Sequence, residues 1–233
     1  MNISLEILHD LKLYNPANQK IRLGRNTDGG YVIVGGYDYD YLISGGIGGD
    51  VSFEIDFIKT YPKVQGLIFD GTVNNPPKEL PKEIQFIKKN VGSNNENTTD
   101  LCEYIKDYKD VFLKMDIEGG EFELLTSEFA KLLPNIKQIV FEAHYFFDIE
   151  LAQKSFQNLN ETHYLVHVHE NNNGRLVKIQ DTIYPNLLEL TYIRKDCEIN
   201  GLNTRNLPIS GLDYPNVIGK IEHDINVYPF KWL

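Results

Sequence analysis

The sequence predicts an α/β fold built on a doubly wound, mainly parallel sheet, and three observations predict it. Short runs of β-branched and aromatic residues recur along the 233 residues, separated by amphipathic stretches. Several of these runs are apolar on both faces, as strands covered by helices on each side must be. Glycines cluster directly after one such run and an acid closes the next, the order of a strand–turn–helix–strand unit that binds ligands at its turn. With 42% hydrophobic residues the chain can build a sizeable core. It is read as a single domain over 1–233, with an N-terminal cap segment (1–40), a core (41–195) and a C-terminal extension (196–233).

The expected strands are YVIV (31–34), YLIS (41–44), GLIFD (66–70), IQFIKKN (84–90), VFLKMD (111–116), QIVFEAH (138–144), YLVHVH (164–169) and LLELTYI (187–193). Helical periodicity falls at 50–61, 98–107, 121–133 and 149–160. In the third, Phe122, Leu125, Phe129 and Leu132 or Leu133 share one face and Pro134 ends it. The turn formers in VNNPPKELPKE (73–83) and GSNNENTTD (92–100) read as surface loops. Beyond Cys197 the periodicity fades, yet Leu212, Tyr214, Val217, Ile218 and the terminal YPFKWL are more apolar than a disordered tail, so an ordered extension is expected.

Charge narrows the function. There are 33 acidic against 23 basic residues, a formal net charge of −10, and this gives no general attraction to nucleic-acid backbones or anionic lipid. No nucleic-acid or membrane partner is expected, and a homo-oligomer is left open. No apolar run approaches the ~18 residues that cross a bilayer, and the start of the chain lacks a signal-peptide pattern, so a cytoplasmic protein is expected. Cys102 and Cys197 lie far apart and suggest neither a disulfide framework nor a zinc site.

The strand YLIS runs into Gly45, Gly46, Gly48 and Gly49, where the backbone can turn tightly and approach a ligand without a Cβ in the way. Twenty residues after Asp50, Asp70 ends the next strand and is followed by Gly71 and Thr72. A carboxylate there accepts hydrogen bonds from a ribose diol. Val51 stands where a dinucleotide fingerprint needs its third glycine, so a nucleoside is favoured over a pyrophosphate.

Four of the six histidines crowd into 144–169. Strand-end placement lets Asp116, Glu142, His144 and His169 converge from three strands, while His163 and His167 read as structural. Carboxylates with imidazole suit Mg²⁺, Mn²⁺ or Fe²⁺, and two imidazoles with one carboxylate lean toward Fe²⁺. Such an ion would hold sugar hydroxyls and ease their deprotonation. Tyr145, Phe146 and Phe147 read as pocket wall.

Four stretches, LGRNTDGGYVI (23–33), ISGGIGGDVSFE (43–54) with IFDGT (68–72), FLKMDIEGGEFELL (112–125) and IVFEAHYF (139–146), together resemble the FkbM-like S-adenosylmethionine-dependent methyltransferases over roughly 20–195. HYLVHVHENNNG and PNLLELTYIRKD look most like members from bacterial surface-polysaccharide clusters, including capsular heptose O-methyltransferases. The resemblance implies a Rossmann-like class I sheet of seven strands with the last antiparallel. It implies S-adenosylmethionine held by Ser44, Gly45, Gly46, Gly48, Asp70, Gly71 and Thr72, with Arg25, Asp28, Gly29 and Gly30 over the cofactor side. It also implies acids at the ends of the fourth and fifth strands as metal ligands; Glu-Ala-His here departs from the paired aspartates of such sites.

The expectation is an O-methyltransferase acting on a sugar hydroxyl of a nucleotide-sugar, of GDP-heptose type, in capsule or surface-polysaccharide synthesis. Asp116, Glu142 and His169 hold the ion and His144 is the base, with the two histidines open to exchange. Two rivals use the same residues: an NAD-dependent sugar oxidoreductase, weakened by the missing glycine and the lack of a Tyr-x-x-x-Lys pair, and a noncatalytic glycan- or partner-binding protein on the same scaffold.

Overall fold

In the computed structural model, which describes residues 3–232, seven strands form one central sheet. They are β1 (Tyr41–Gly45), β2 (Gln65–Phe69), β3 (Ile84–Ile87), β4 (Val111–Met115), β5 (Ile136–His144), β6 (His163–Glu170) and β7 (Leu187–Arg194). Their order is β6–β7–β5–β4–β1–β2–β3. All neighbours run parallel except β7, which is antiparallel to both β5 and β6. The helices are α1 (Ile3–Asp10), α2 (Ser52–Thr60), α3 (Cys102–Ile105), α4 (Glu121–Thr126) and α5 (Leu151–Thr162). None among the described residues is long and apolar enough to cross a membrane.

Successive strand side chains point to opposite faces, and this alternation sorts the core. Ile43, Leu67, Leu113, Met115, Ile139 and Phe141 pack with Ile7, Leu8, Phe122, Phe156 and Leu159 from α1, α4 and α5. Leu42, Ile68, Phe112 and Val140 pack on the other side against Phe53 and Phe57 of α2 and Tyr31 and Ile33 of a separate hairpin, Lys20–Leu23 with Tyr31–Val34. On this second face the same alternation continues to the strand tips as Asp116, Glu142 and His144. Register places Glu142 opposite Glu189, and Glu189 opposite His169.

Three expectations need correction. YVIV forms the hairpin and does not join the central sheet. Of 98–107, only Cys102–Ile105 is helical, because Leu101 adopts a left-handed backbone (φ 63°) immediately before it. The helix at 121–133 breaks after Thr126: Ser127 turns extended and its hydroxyl accepts the Phe129 N–H, starting a separate 3-10 segment, Glu128–Asn135. The stretch beyond Cys197 is ordered. Leu207, Ile225 and Phe230 are buried in the core, and residues 212–223 wrap the tips of β6 and β7.

Candidate functional site

Where β1 ends, the chain turns through Gly46 (φ 75°), Gly48 (φ 51°) and Gly49 (φ 92°) into α2. A Cβ on Gly46 would lie 1.7 Å from the Asp116 carbonyl oxygen, so only glycine lets the β1 loop and the β4 tip touch. Asp116 N–H donates to Gly45 O at 2.9 Å and the buried Lys114 ammonium donates to Gly46 O at 2.8 Å, fixing that approach from both sides. Beneath the loop, the Ser44 hydroxyl donates to Glu54 at 2.5 Å, which makes Ser44 a support under the turn.

Asp70 ties the loop to β2. One carboxylate oxygen accepts the Ile47 and Gly48 N–H groups, both at 3.0 Å; the other accepts from the Thr72 N–H, the Thr72 hydroxyl and the Val73 N–H. Burial opposes its charge, yet these donors hold the carboxyl below the usual carboxylate range. A cleft of about 690 Å³ opens above, within the size of small-molecule sites. Its walls include Ile47, Phe53, Phe69 and Val91 on the apolar side and Asp28, Asp50, Asp70, Asp116 and Glu118 on the acidic side, with Arg25 and Lys114 as the cations. Gly48, in the cleft lining, has nothing within 4 Å of where a Cβ would stand, leaving bare backbone there. A nucleoside bearing a cationic sulfonium fits this acid-walled, glycine-floored space.

Asp116, which lines the cleft, also belongs to a cluster with Glu142 and His144, each with a donor atom within 4.8 Å of the others. His144 Nε2 is 3.4 Å from Glu142, 3.5 Å from Glu118 and 3.8 Å from Asp116. Donor atoms sharing one small divalent ion at ~2.0–2.2 Å stand roughly 3.0–3.6 Å apart; the Glu142–His144 pair at 3.4 Å falls in that range, and Asp116, 3.8 Å from His144, would close in slightly to complete an oxygen and nitrogen set that suits such an ion. Charge points the same way. Burial chiefly pushes the Glu142 carboxyl well above its ordinary range, and Asp116, Glu189 and Asp28 add to the push; a cation would relieve that crowding. For His144, burial disfavours the charged ring, but the hydrogen bond and charge of Glu121, with Asp116 and Glu118, outweigh it and raise the pKa.

Each of the three has a buried partner that sequence reasoning missed. Tyr31 donates to Asp116 at 3.1 Å, Asn171 donates to Glu142 at 3.2 Å, and Glu121 lies 3.0 Å from His144 Nδ1. The one available signal was Glu121, an acid three and four residues before Leu124 and Leu125 on the apolar stripe of α4. Nothing in the sequence marks the Tyr31 hydroxyl or selects Asn171 from its run of three asparagines.

His169 does not join the cluster. The antiparallel β7 lies between β5 and β6, so His169 sits two strands, ~10 Å, from Glu142. Its nitrogens meet Glu189 at 3.0 Å and Glu222 at 2.9 Å. His167 pairs with Asp213 at 2.8 Å, and His163 meets the Ile136 carbonyl at 2.9 Å; both are buried and structural. Gly71 donates its N–H to Asn90, beside the cleft that Thr72 and Asp70 line. Phe146 is core rather than pocket wall, while Tyr145, half-exposed and left-handed (φ 51°), stands beside His144. Arg25 pairs with Asp50 at 3.1 Å, and Gly29 and Asp28 line the cleft; Gly30 lies behind them against Arg25.

Comparison with solved structures finds matches at low identity and low TM-score. The precorrin-6y C5,15-methyltransferase of Geobacter metallireducens is 13% identical, with 66% of this chain and 80% of that one covered at a TM-score of 0.39. A candidate S-adenosylmethionine-dependent methyltransferase of Listeria monocytogenes is 12% identical, covering 68% and 91% at 0.41. CalO1, a methyltransferase of calicheamicin biosynthesis in its SAH-bound form, is 9% identical, covering 68% and 50% at 0.33. No curated protein matches the chain. Residues 14–174 match the family described as the Methyltransferase FkbM domain, well over half of the 233 residues. The chain therefore belongs to the FkbM family of S-adenosylmethionine-dependent methyltransferases.

Proposed function

We propose that the protein is an O-methyltransferase for a sugar hydroxyl, the sugar being carried as a nucleotide-sugar of GDP-heptose type in the cytoplasm before it enters a capsule or other surface polysaccharide. The observation that carries this reading is the junction of the glycine-loop cleft with the Asp116–Glu142–His144 cluster at the tips of β1, β4 and β5. A cofactor in the cleft places its reacting end beside a group of side chains suited to a cation and a neutral hydroxyl.

S-adenosylmethionine would supply the methyl group as a sulfonium. A divalent ion, Fe²⁺, Mg²⁺ or Mn²⁺, held by Asp116, Glu142 and His144 would lower the pKa of the acceptor hydroxyl. The chain's own residues do the rest. The bare backbone of Gly46–Gly49 and the Asp70 strut fix the donor, and the ribose diol competes for or shares the Asp70 carboxylate. Alignment matters most, because methyl transfer is an in-line displacement in which the C–S bond breaks as the O–C bond forms. The remaining proton needs an acceptor. His144 cannot take it with its Nε2 lone pair committed to the ion; Glu118, exposed and 3.5 Å from His144, takes the proton.

The test is a panel of nucleotide-sugars incubated with S-adenosylmethionine and metal-loaded or EDTA-stripped protein, read by mass spectrometry. The reading expects a gain of one methylene on a neutral sugar, lost on stripping and restored by metal. A metal-independent gain removes the ion from the mechanism, and methylation confined to a non-sugar acceptor overturns the substrate.

A further inference from the structure

We propose that Glu121 is a positioning residue: it holds the proton of His144 on Nδ1 and thereby keeps Nε2 free toward Asp116 and Glu142, setting the affinity of that cluster for a divalent ion. The proposal rests on the metal-assisted reading above.

Glu121 opens α4 directly after Gly119 and Gly120 and is fully buried. One of its oxygens accepts the Ile117 N–H at 3.0 Å and also meets His144 Nδ1 at 3.0 Å. The other is buried with no partner. Burying a carboxylate with an orphaned oxygen is costly, and a well-packed apolar residue would avoid that cost. What Glu121 does in return is join three pieces of the site. Its bond to Ile117 pins the turn that carries Asp116 and the left-handed Glu118 (φ 57°), and its bond to His144 reaches the tip of β5.

The chemistry of the ring makes the second bond decisive. An ionised carboxylate only accepts, so the nitrogen facing Glu121 must carry the hydrogen. In the neutral ring Nε2 is then a bare lone pair, 3.4 to 3.8 Å from oxygens of Glu142, Glu118 and Asp116. Those three carboxylates pull the opposite way, because each would be better satisfied by an Nε2–H. Without Glu121 the proton moves to Nε2, donates to Glu142 or Glu118, and blocks the atom that would ligate a cation. A carboxylate behind a histidine ligand commonly works in this manner, and losing it weakens metal binding by about 10–100-fold.

The experiment compares wild type with Glu121→Ala, which removes the acceptor, and Glu121→Gln, whose amide oxygen can still accept from both Ile117 and His144. Nitrogen-15 spectra of the metal-free proteins, recorded where the ring is neutral, report the His144 tautomer. Titration with Mn²⁺ alone, followed by electron paramagnetic resonance, reports affinity, and S-adenosylhomocysteine binding reports an intact cleft. The proposal expects an Nδ1–H ring in wild type and Glu121→Gln, an Nε2–H ring in Glu121→Ala, and Mn²⁺ binding weakened 10–100-fold in Glu121→Ala but less than fivefold in Glu121→Gln. An Nε2–H ring in wild type overturns it, even if Glu121→Ala fails to fold. So does a Glu121→Ala protein that binds S-adenosylhomocysteine normally and Mn²⁺ within twofold of wild type. Absence of Mn²⁺ binding in wild type, with an Nδ1–H ring, instead overturns the metal-assisted reading and the affinity part of this proposal.

Discussion

Replacing Gly46 with alanine tests the contact on which the whole cleft is built. The added Cβ would stand 1.7 Å from the Asp116 carbonyl oxygen, and both atoms belong to backbone that cannot rotate away. Ordinary contact needs the β1 loop and the β4 tip to part by roughly 1.5 Å, enough to lose the Lys114–Gly46 hydrogen bond. A charged hydrogen bond is worth about 1.5–3 kcal/mol, and a non-glycine residue at φ 75° adds about 1–2 kcal/mol. The sum, about 2.5–5 kcal/mol, corresponds to a melting temperature lower by roughly 5–20 °C for a chain of this size. Gly48→Ala is the stability control: it too is left-handed (φ 51°), but its Cβ meets nothing within 4 Å, so only the conformational cost of about 1–2 kcal/mol is expected. Differential scanning calorimetry of the two variants, with calorimetric titration of S-adenosylhomocysteine into wild type and Gly46→Ala, measures both consequences. If Gly46→Ala melts with Gly48→Ala and binds within threefold of wild type, the loop and the β4 tip do not depend on each other as argued.

Three further expectations follow from the same geometry. His144→Gln lowers Mn²⁺ affinity more than tenfold while His169→Gln leaves it within threefold, measured by equilibrium titration; the reverse order would restore His169 as a ligand. For His169, burial alone would lower the pKa, but the bond to Glu189, the charges of Glu189 and Asp213 and the bond to Glu222 raise it to about 9. Its contribution is therefore fully present below the ordinary value of 6.5 and is lost as pH rises through about 9, so hydrogen exchange of residues 212–223 speeds up across that window in wild type and shows no such step in His169→Gln. Asp70→Asn turns an acceptor of five donors into a group that itself donates, so S-adenosylhomocysteine binding weakens at least tenfold and the protein melts earlier; unchanged binding would show that Asp70 neither shapes the loop nor meets the cofactor.

Much of the fold was legible because strand and helix periods differ and the glycine turn follows an apolar strand without interruption. Runs such as VFLKM and IVFEAH are too apolar and too β-branched for any other role in a buried sheet. Helix breaks were less legible, since they depend on single backbone events: the left-handed Leu101 and the Ser127 cap leave the periodic pattern around them intact. At the site, Asp116, Glu142 and His144 could be picked out as polar groups at strand tips. The error over His169 came from strand order. Spacing along the chain places His169 on the strand after His144, but only the folded sheet shows β7 inserted between them. Glu121, Tyr31 and Asn171 act through contacts between residues 23 to 85 positions apart in sequence, which no local pattern encodes.

The most direct test of the central claim is a crystal structure with S-adenosylhomocysteine and Mn²⁺, using anomalous scattering to locate the metal. The account predicts the thioether sulfur in the cleft that Gly46 and Asp116 line, and a manganese peak among Asp116, Glu142 and His144. A ligand bound away from the glycine loop, or a metal peak at Glu189 and His169 instead, would contradict it.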